Sequence, residues 1–535
     1  MASTSNLRSR RSAAQLHALA GVEREIRVQD SHNRRKYLRD FNQAFRNYES
    51  VLDAEQLRDA VRGSDVVLIG DYHALPSAQR QAASLMEQRA LAGDRPVVLG
   101  VETIFARDQH ILDEWWRREI DEQEFRQRIR FDLDWGYDWA PFYELLVTAR
   151  DHAEALYGLD CMPREDLRKI GARDRHAAIK LAEIRERHPN AVIFVLFGES
   201  HLAPAHLPRA LKEQMPGAKV LTVLQNIDAL YWRAAGERAD KVEAVRVNDD
   251  VICVFNATPL EKYESYRLFL DQWSRCDDGP DFAPTIYNLI DSLARFLEIN
   301  RYSPHNGTQP KFLVDMMPEV YGGTSDAILG RLLSRKGISE QDRQSLLTAV
   351  EHRGSAYLPQ VNAFYIREFQ MMHAAEDITR FLHHACQGLP RRLNGQSTEG
   401  PVSDPEKSQV QSTDRFYRRV IEHAVAYFGS RVLYPSRPTP SADVAPQPSR
   451  SGCEKAAQAA IEADAEKFEA AAEEWGYRIG SQIYDAYVAG KVAPSGVRRL
   501  FLTHLDEPGI ARKVCSTVIS KLRSIARPQA RAAHA

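Results

Sequence analysis

Three stretches of this chain carry aliphatic and aromatic residues with no polar alternation: Val66 to Ile69, Val97 to Val101 and Val192 to Phe197. A strand with one wet face alternates apolar and polar residues. A β-branched run that does not alternate reads as a strand buried on both faces, the condition of a parallel sheet covered by helices. A shorter run, Ala155 to Leu159, has the same character. Helical patterns separate these runs, so the expected order is strand 66–70, helix 76–92, strand 97–101, a helical insert over 104–130, helix 141–153, strand 155–159, helix 164–187, strand 191–197, helix 204–213 and strand 219–224. Strands alternating with helices predict βαβ crossovers and an α/β fold, a mainly parallel sheet with helices on both faces. Val242 to Val247 and Val251 to Asn256 predict a hairpin around Asn248-Asp249-Asp250.

The same runs share their endings. Gly70-Asp71-Tyr72-His73 follows the first, Glu102 the second, Gly198-Glu199-Ser200-His201 the third and Asp160 the fourth. Ligands of open parallel sheets sit outside the carboxyl ends of the strands, so one rim should collect all of these side chains. Asp and Ser at such turns often cap the next helix, which accounts for any one of them taken singly. Two Gly-acid-x-His endings on one rim point past capping. Imidazoles with carboxylates suit zinc, manganese or iron, and the candidate metal set is Asp71, His73, Glu102, Glu199 and His201. Without metal, His73 or His201 would serve as general base with Glu102 or Glu199 as its orienter. His73, Glu102 and His201 are therefore the candidate catalytic residues.

The helical character dominates beyond residue 260. Helices are expected over Leu260–Trp273, Thr285–Ile299, Thr324–Leu333, Ser339–His352 and Leu358–Cys386, then over 415–430, 453–490 and 494–525. The stretches 388–414 and 435–451, rich in Ser, Pro, Gln and Gly, read as a linker and a loop too poor in apolar residues to repay ordering. The expected division is a helical segment 1–50, an α/β domain 51–260, a helical region 261–387, the linker 388–414 and a helical region 415–535, the C-terminal part being all-helical.

Balance and composition narrow the partners. The chain has 71 basic and 73 acidic side chains, without the basic stripe that nucleic-acid binding needs. Six scattered cysteines form no Cys-x-x-Cys pair, which suggests free thiols in a reducing compartment. No run approaches 18 apolar residues and the amino terminus carries no apolar signal core, so the expectation is a cytoplasmic protein without a membrane span. Glu368, His373, Glu376 and His383-His384 share a later helix, but the chain lacks the paired Glu-x-x-His pattern of a bundle metal site. Trp115-Trp116, Trp135 and Trp139 are expected in the core, and Gly322-Gly323 in a plain turn.

Several of these segments resemble ChaN-like proteins of the Tiki superfamily, over about residues 50–230. Gly70-Asp71-Tyr72-His73 resembles their first Gly-Glu-x-His motif, with Asp71 one methylene shorter than the usual glutamate. Leu99-Gly100-Val101-Glu102 is similar to their second strand. Trp135 to Ala149, with Asp138-Trp139 and Tyr143-Glu144-Leu145-Leu146, resembles the segment that follows. Phe197-Gly198-Glu199-Ser200-His201 with Leu207-Pro208 resembles their last motif. The resemblance implies an α/β fold with haem or metal binding linked to iron uptake. By analogy it implies a haem-binding tyrosine, for which Tyr72 and Tyr137 are the candidates. The superfamily also holds metal-dependent hydrolases, Tiki-like peptidases and erythromycin-esterase-like enzymes. Three readings follow: a haem- or metal-binding protein, a metal-dependent hydrolase, and an interaction scaffold whose helical tail binds a partner or a second copy of the chain.

Overall fold

The computed structural model describes residues 4–30, 36–161, 170–237, 242–275, 280–299, 316–323, 326–334, 340–387, 405–439 and 448–526. The chain divides into two compact units, one of Val22–Ser274 and one of Met1–Gly21 with Arg275–Ala535.

The first unit is built on an eight-stranded sheet. Its strands are β1 (Ser50–Leu52), β2 (Val66–Asp71), β3 (Val97–Phe105), β4 (Ala155–Asp160), β5 (Val192–Gly198), β6 (Val220–Gln225), β7 (Ala244–Asn248) and β8 (Val251–Val254), in spatial order β1-β7-β8-β6-β2-β5-β3-β4. The pairings from β8 across to β4 are parallel, and β7 runs antiparallel to β8 and β1, as the hairpin expectation required. On one face Val67, Ile69, Leu99, Val101, Phe194 and Leu196 join Ala82, Met86, Leu145 and Leu146 of the helices Pro76–Leu91 and Trp139–His152. Val66, Leu68, Val98, Ile193 and Val195, which alternate with them, are equally buried. Both faces are thus sealed, which explains the missing polar alternation. The α/β architecture matches the expectation.

One irregularity bears on the site. The register between β3 and β4 shifts between Val101 and Phe105, so Glu102 lies on a bulged stretch. Bulges re-aim side chains next to functional sites. Gly158 of β4 makes the shift sterically feasible, because a methyl group there would stand 2.8 Å from the Ile104 carbonyl oxygen and 2.9 Å from that of Phe105.

The second unit is mainly helical. Its long elements are Met371–Gln387, Pro405–Leu433, Ala465–Val488 and Ile510–Ala526. The chain's first residues belong here: Asn288 Nδ2 donates to the Ala18 carbonyl at 2.8 Å, and His17 Nδ1 lies 2.9 Å from Ser292 Oγ. The C-terminal region is not all-helical. It also holds β9 (Glu319–Gly322), β10 (Ser355–Leu358) and β11 (Ala363–Ile366), ordered β10-β11-β9. The helix expected over Leu358–Cys386 therefore begins only at Met371, because Tyr357, Phe364 and Tyr365 pair as buried strand residues around a turn that ends on Asn362 at φ 49°. Pro405–Leu433 begins inside the stretch expected as a linker; 388–404 lies outside the described residues, as does 440–447 of the expected loop.

Candidate functional site

Strand ends place the site. Asp71 closes β2 and His73 follows it; Glu102 sits in the β3 bulge; Gly198 closes β5, and a short 3-10 turn, Glu199–Leu202, carries His201. Asp160 closes β4, and the helix Ile170–Arg187 adds Arg173 and Asp174.

Glu102 is the centre of the cluster. His73 Nε2 lies 3.7 Å from its Oε2, and His201 Nε2 lies 3.7 Å from its Oε1. Each imidazole is held from behind: His73 Nδ1 is 2.7 Å from Asp71 Oδ2, and His201 Nδ1 is 2.6 Å from Asp174 Oδ1. A carboxylate only accepts, so both Nδ1 atoms donate to their aspartates and both Nε2 atoms are turned toward Glu102. Gln79 Nε2 donates to the other Asp71 oxygen. Gly198 N–H donates to Glu102 Oε2. A methyl group added at Gly198 would stand 3.0 Å from Glu102 Oε2, 3.4 Å from His73 Nε2 and 3.5 Å from His201 Cδ2. Three donor side chains therefore converge on one spot that only a glycine leaves open.

The charges are balanced locally. Arg173 Nη2 donates to Glu102 Oε1 at 2.5 Å and to Asp160 Oδ2 at 2.6 Å, with its Nε on Asp160 Oδ1 at 2.9 Å. Burial alone would raise the Glu102 carboxyl; Arg173, the two imidazoles and the Gly198 N–H outweigh it and hold the group at about 2. Burial works to lower the Arg173 guanidinium, and Glu102 with Asp160 holds it above its ordinary value.

Of the residues expected from the sequence, Asp71, His73, Glu102, Asp160 and His201 come together here. Glu199 turns elsewhere: both its oxygens lie 2.9 Å from Lys262 Nζ, and burial raises its carboxyl despite that partner. Lys262 Nζ also stands 4.6 Å from the centre of the Tyr72 ring, and burial pushes the Tyr72 phenol well up. Tyr137 lies on the other side, its ring 5.2 Å from that of His73, beside Trp135 at 5.3 Å and Phe142 at 6.4 Å. Arg173, Asp174, Gln79 and Lys262 are the participants that strand-end reasoning does not find.

Imidazole nitrogen is a donor that suits iron among other transition metals. Two imidazole nitrogens face the Gly198 cradle beside a carboxylate that Arg173 already holds, and aromatic rings flank His73. His73 is the more accessible imidazole, with 12% of its side chain exposed against 5% for His201.

Residues 57–194 match the family described as haem-binding uptake, Tiki superfamily, ChaN. The chain thus carries a ChaN-like segment, as the sequence resemblance implies. A solved structure, "Cofacial heme binding to ChaN of Campylobacter jejuni", aligns with 33% of this chain and 86% of that one, at 14% sequence identity and a TM-score of 0.27. No curated protein matches the chain. The weight of the comparison rests on the family match.

Proposed function

We propose that the α/β unit binds haem at the carboxyl rim of its sheet, with His73 Nε2 as the ligand to iron, and takes part in haem or iron handling. The family match supports haem as the cofactor. The observation that carries the residue assignment is the Asp71–His73 pair. Asp71 fixes the imidazole with Nε2 toward the point where Glu102 and His201 also converge. Hydrogen bonding of the remote nitrogen to a carboxylate raises the basicity of a ligating imidazole. Tyr137, partly exposed, would offer an apolar face to the macrocycle, with Trp135 and Phe142 buried beside His73, and of the two candidate tyrosines Tyr137 is the one beside His73. When bound, the haem iron would supply the Lewis-acid and redox centre of the unit.

A second reading, a divalent metal serving a hydrolase, draws on the two imidazoles that share Glu102. Arg173 weighs against it, because a guanidinium already occupies the carboxylate that would have to neutralise the metal.

Titration with hemin, followed by absorption in the Soret region, tests the proposal. His73→Ala should weaken hemin binding at least about tenfold while far-ultraviolet circular dichroism stays unchanged. Equal hemin binding by wild type, His73→Ala and His201→Ala would remove the site assignment. Stoichiometric zinc or manganese without a Soret response would favour the second reading.

A further inference from the structure

The helical unit holds a cavity of about 690 Å³, within the range of small-molecule sites. Its walls come from the turn between β10 and β11 and from the helices Glu340–Arg353, Met371–Gln387, Pro405–Leu433 and Ala465–Val488. Three of its arginines are matched internally. Arg353 donates to Glu473 at 3.1 Å, Arg380 to Glu376 at 2.6 Å, and Arg419 Nε to Glu469 at 3.0 Å. Arg415 differs: it is exposed, its guanidinium stands 5.6 Å from the centre of the Phe468 ring, and it has no carboxylate partner among the described residues.

The interior wall is unusual for a protein core. His383 is 1% exposed, and neither of its ring nitrogens has a hydrogen-bond partner among the described residues. His384 Nδ1, Gln360 Oε1 and Arg380 Nε on the same wall are buried and unpartnered too. Buried polar atoms are almost always paired, so four residues with open valences around one cavity point to something that answers them. Burial keeps both imidazoles uncharged at neutral pH, His383 near 3 and His384 near 4. Each therefore offers one donor and one acceptor.

A metal ion is not the answer. Glu376, His423 and Glu473 do bring donor atoms within 4.8 Å of one another. Glu376, however, already accepts from Arg380 at 2.6 Å and Tyr477 at 2.6 Å and pairs with Arg437 at 2.8 Å.

We infer that this cavity binds an anionic metabolite of nucleoside-monophosphate size, its charged group at Arg415 and its uncharged heteroaromatic edge against His383, His384 and Gln360. Such an edge presents donors and acceptors side by side, as two neutral imidazoles and an amide oxygen require. The charge at the mouth comes from the one cavity arginine that needs no internal partner broken.

The test uses the full chain with AMP, GMP, CMP and UMP as probes, and adenosine and inorganic phosphate as controls. Calorimetric titration and thermal melting are the readouts. At least one nucleotide should bind and raise the melting temperature, with adenosine and phosphate about tenfold weaker or more. Arg415→Ala, a change at an exposed position, should weaken the nucleotide about tenfold without moving the melting temperature of the free protein. His383→Phe should abolish the response and raise the melting temperature of the free protein, because it removes two unanswered polar atoms. Failure of all four nucleotides to bind, binding of phosphate as tight as theirs, or undiminished binding in both variants would each overturn the inference.

Discussion

A methyl group at Gly198 would enter the space shared by His73, Glu102 and His201 while leaving the strand itself free to form, since φ there is −48° and any residue can adopt it. Gly198→Ala should therefore lower hemin affinity about tenfold or more and shift the melting temperature only slightly, as hemin titration beside thermal melting would show. The carboxylates behind the imidazoles act at one remove. Asp71→Asn or Asp174→Asn replaces an acceptor-only partner with one that can also donate, so the imidazole proton is no longer confined to Nδ1. Asp71→Asn, behind the proposed ligand, should cost about 10- to 100-fold in hemin affinity, read by the same titration, and Asp174→Asn, behind His201, should cost less. At this scale the sequence was partly legible. His73 and His201 follow strand ends, which could be read from the apolar runs; Glu102 closes the apolar run of β3, although the strand itself continues through its bulge to Phe105. Arg173 and Asp174 come from mid-chain on a helix, and nothing in their spacing relates them to the rim. Glu199 was misleading for a local reason: the tight turn 199–202 separates it from His201 and sends it to Lys262, far along the chain.

Helix packing in the second unit depends on two small residues. In Ala465–Val488, a methyl group at Gly476 would stand 2.8 Å from the Val420 carbonyl oxygen, and one at Gly480 would stand 3.0 Å from Tyr427 Cβ and meet the Ala424 carbonyl. The two helix backbones approach that closely, so neither can shift alone. Gly480→Ala should destabilise by about 1–3 kcal/mol through overpacking. Gly496→Ala, whose nearest neighbour would be Val492 Cγ1 at 3.9 Å, should be neutral or stabilise by about 0.5 kcal/mol. Denaturant unfolding of the pair tests the contrast, and equal effects would refute it. The long parallel strands were legible because burial on both faces leaves an unmistakable apolar run. β1, with three residues, and the short strands β10 and β11 were not, since four buried residues in a row read equally as helix.

For the whole molecule, acid should matter before the carboxylates do. His383 and His384 are held near 3 and 4 by burial, against an ordinary 6.5. Between pH 6.5 and about 4 the unfolded chain therefore takes up protons that the folded chain refuses. Stability should be full above pH 6.5 and fall as pH drops below it, by about 2 kcal/mol per histidine at pH 5. His383→Phe should flatten the melting curve against pH over that window; an unchanged slope would exclude this origin. Further loss should follow below pH 4.5, where Glu422, held low by Arg419 against the effect of burial, gains a proton on unfolding. The composition of the helical unit has a further consequence, one of timing. Its first 21 residues leave the ribosome before the α/β unit, and the remainder begins only at Arg275. At ordinary rates of synthesis the interval is on the order of tens of seconds, ample for the α/β unit to fold in between. The amino-terminal segment must wait for Ser292 and Asn288 to be made before it can dock. Nascent chains arrested once Ser274 has cleared the ribosome, with Asn288 and Ser292 still inside the exit tunnel, should accordingly resist protease over the α/β unit and be clipped within residues 4–21, a sensitivity that full-length chains lose.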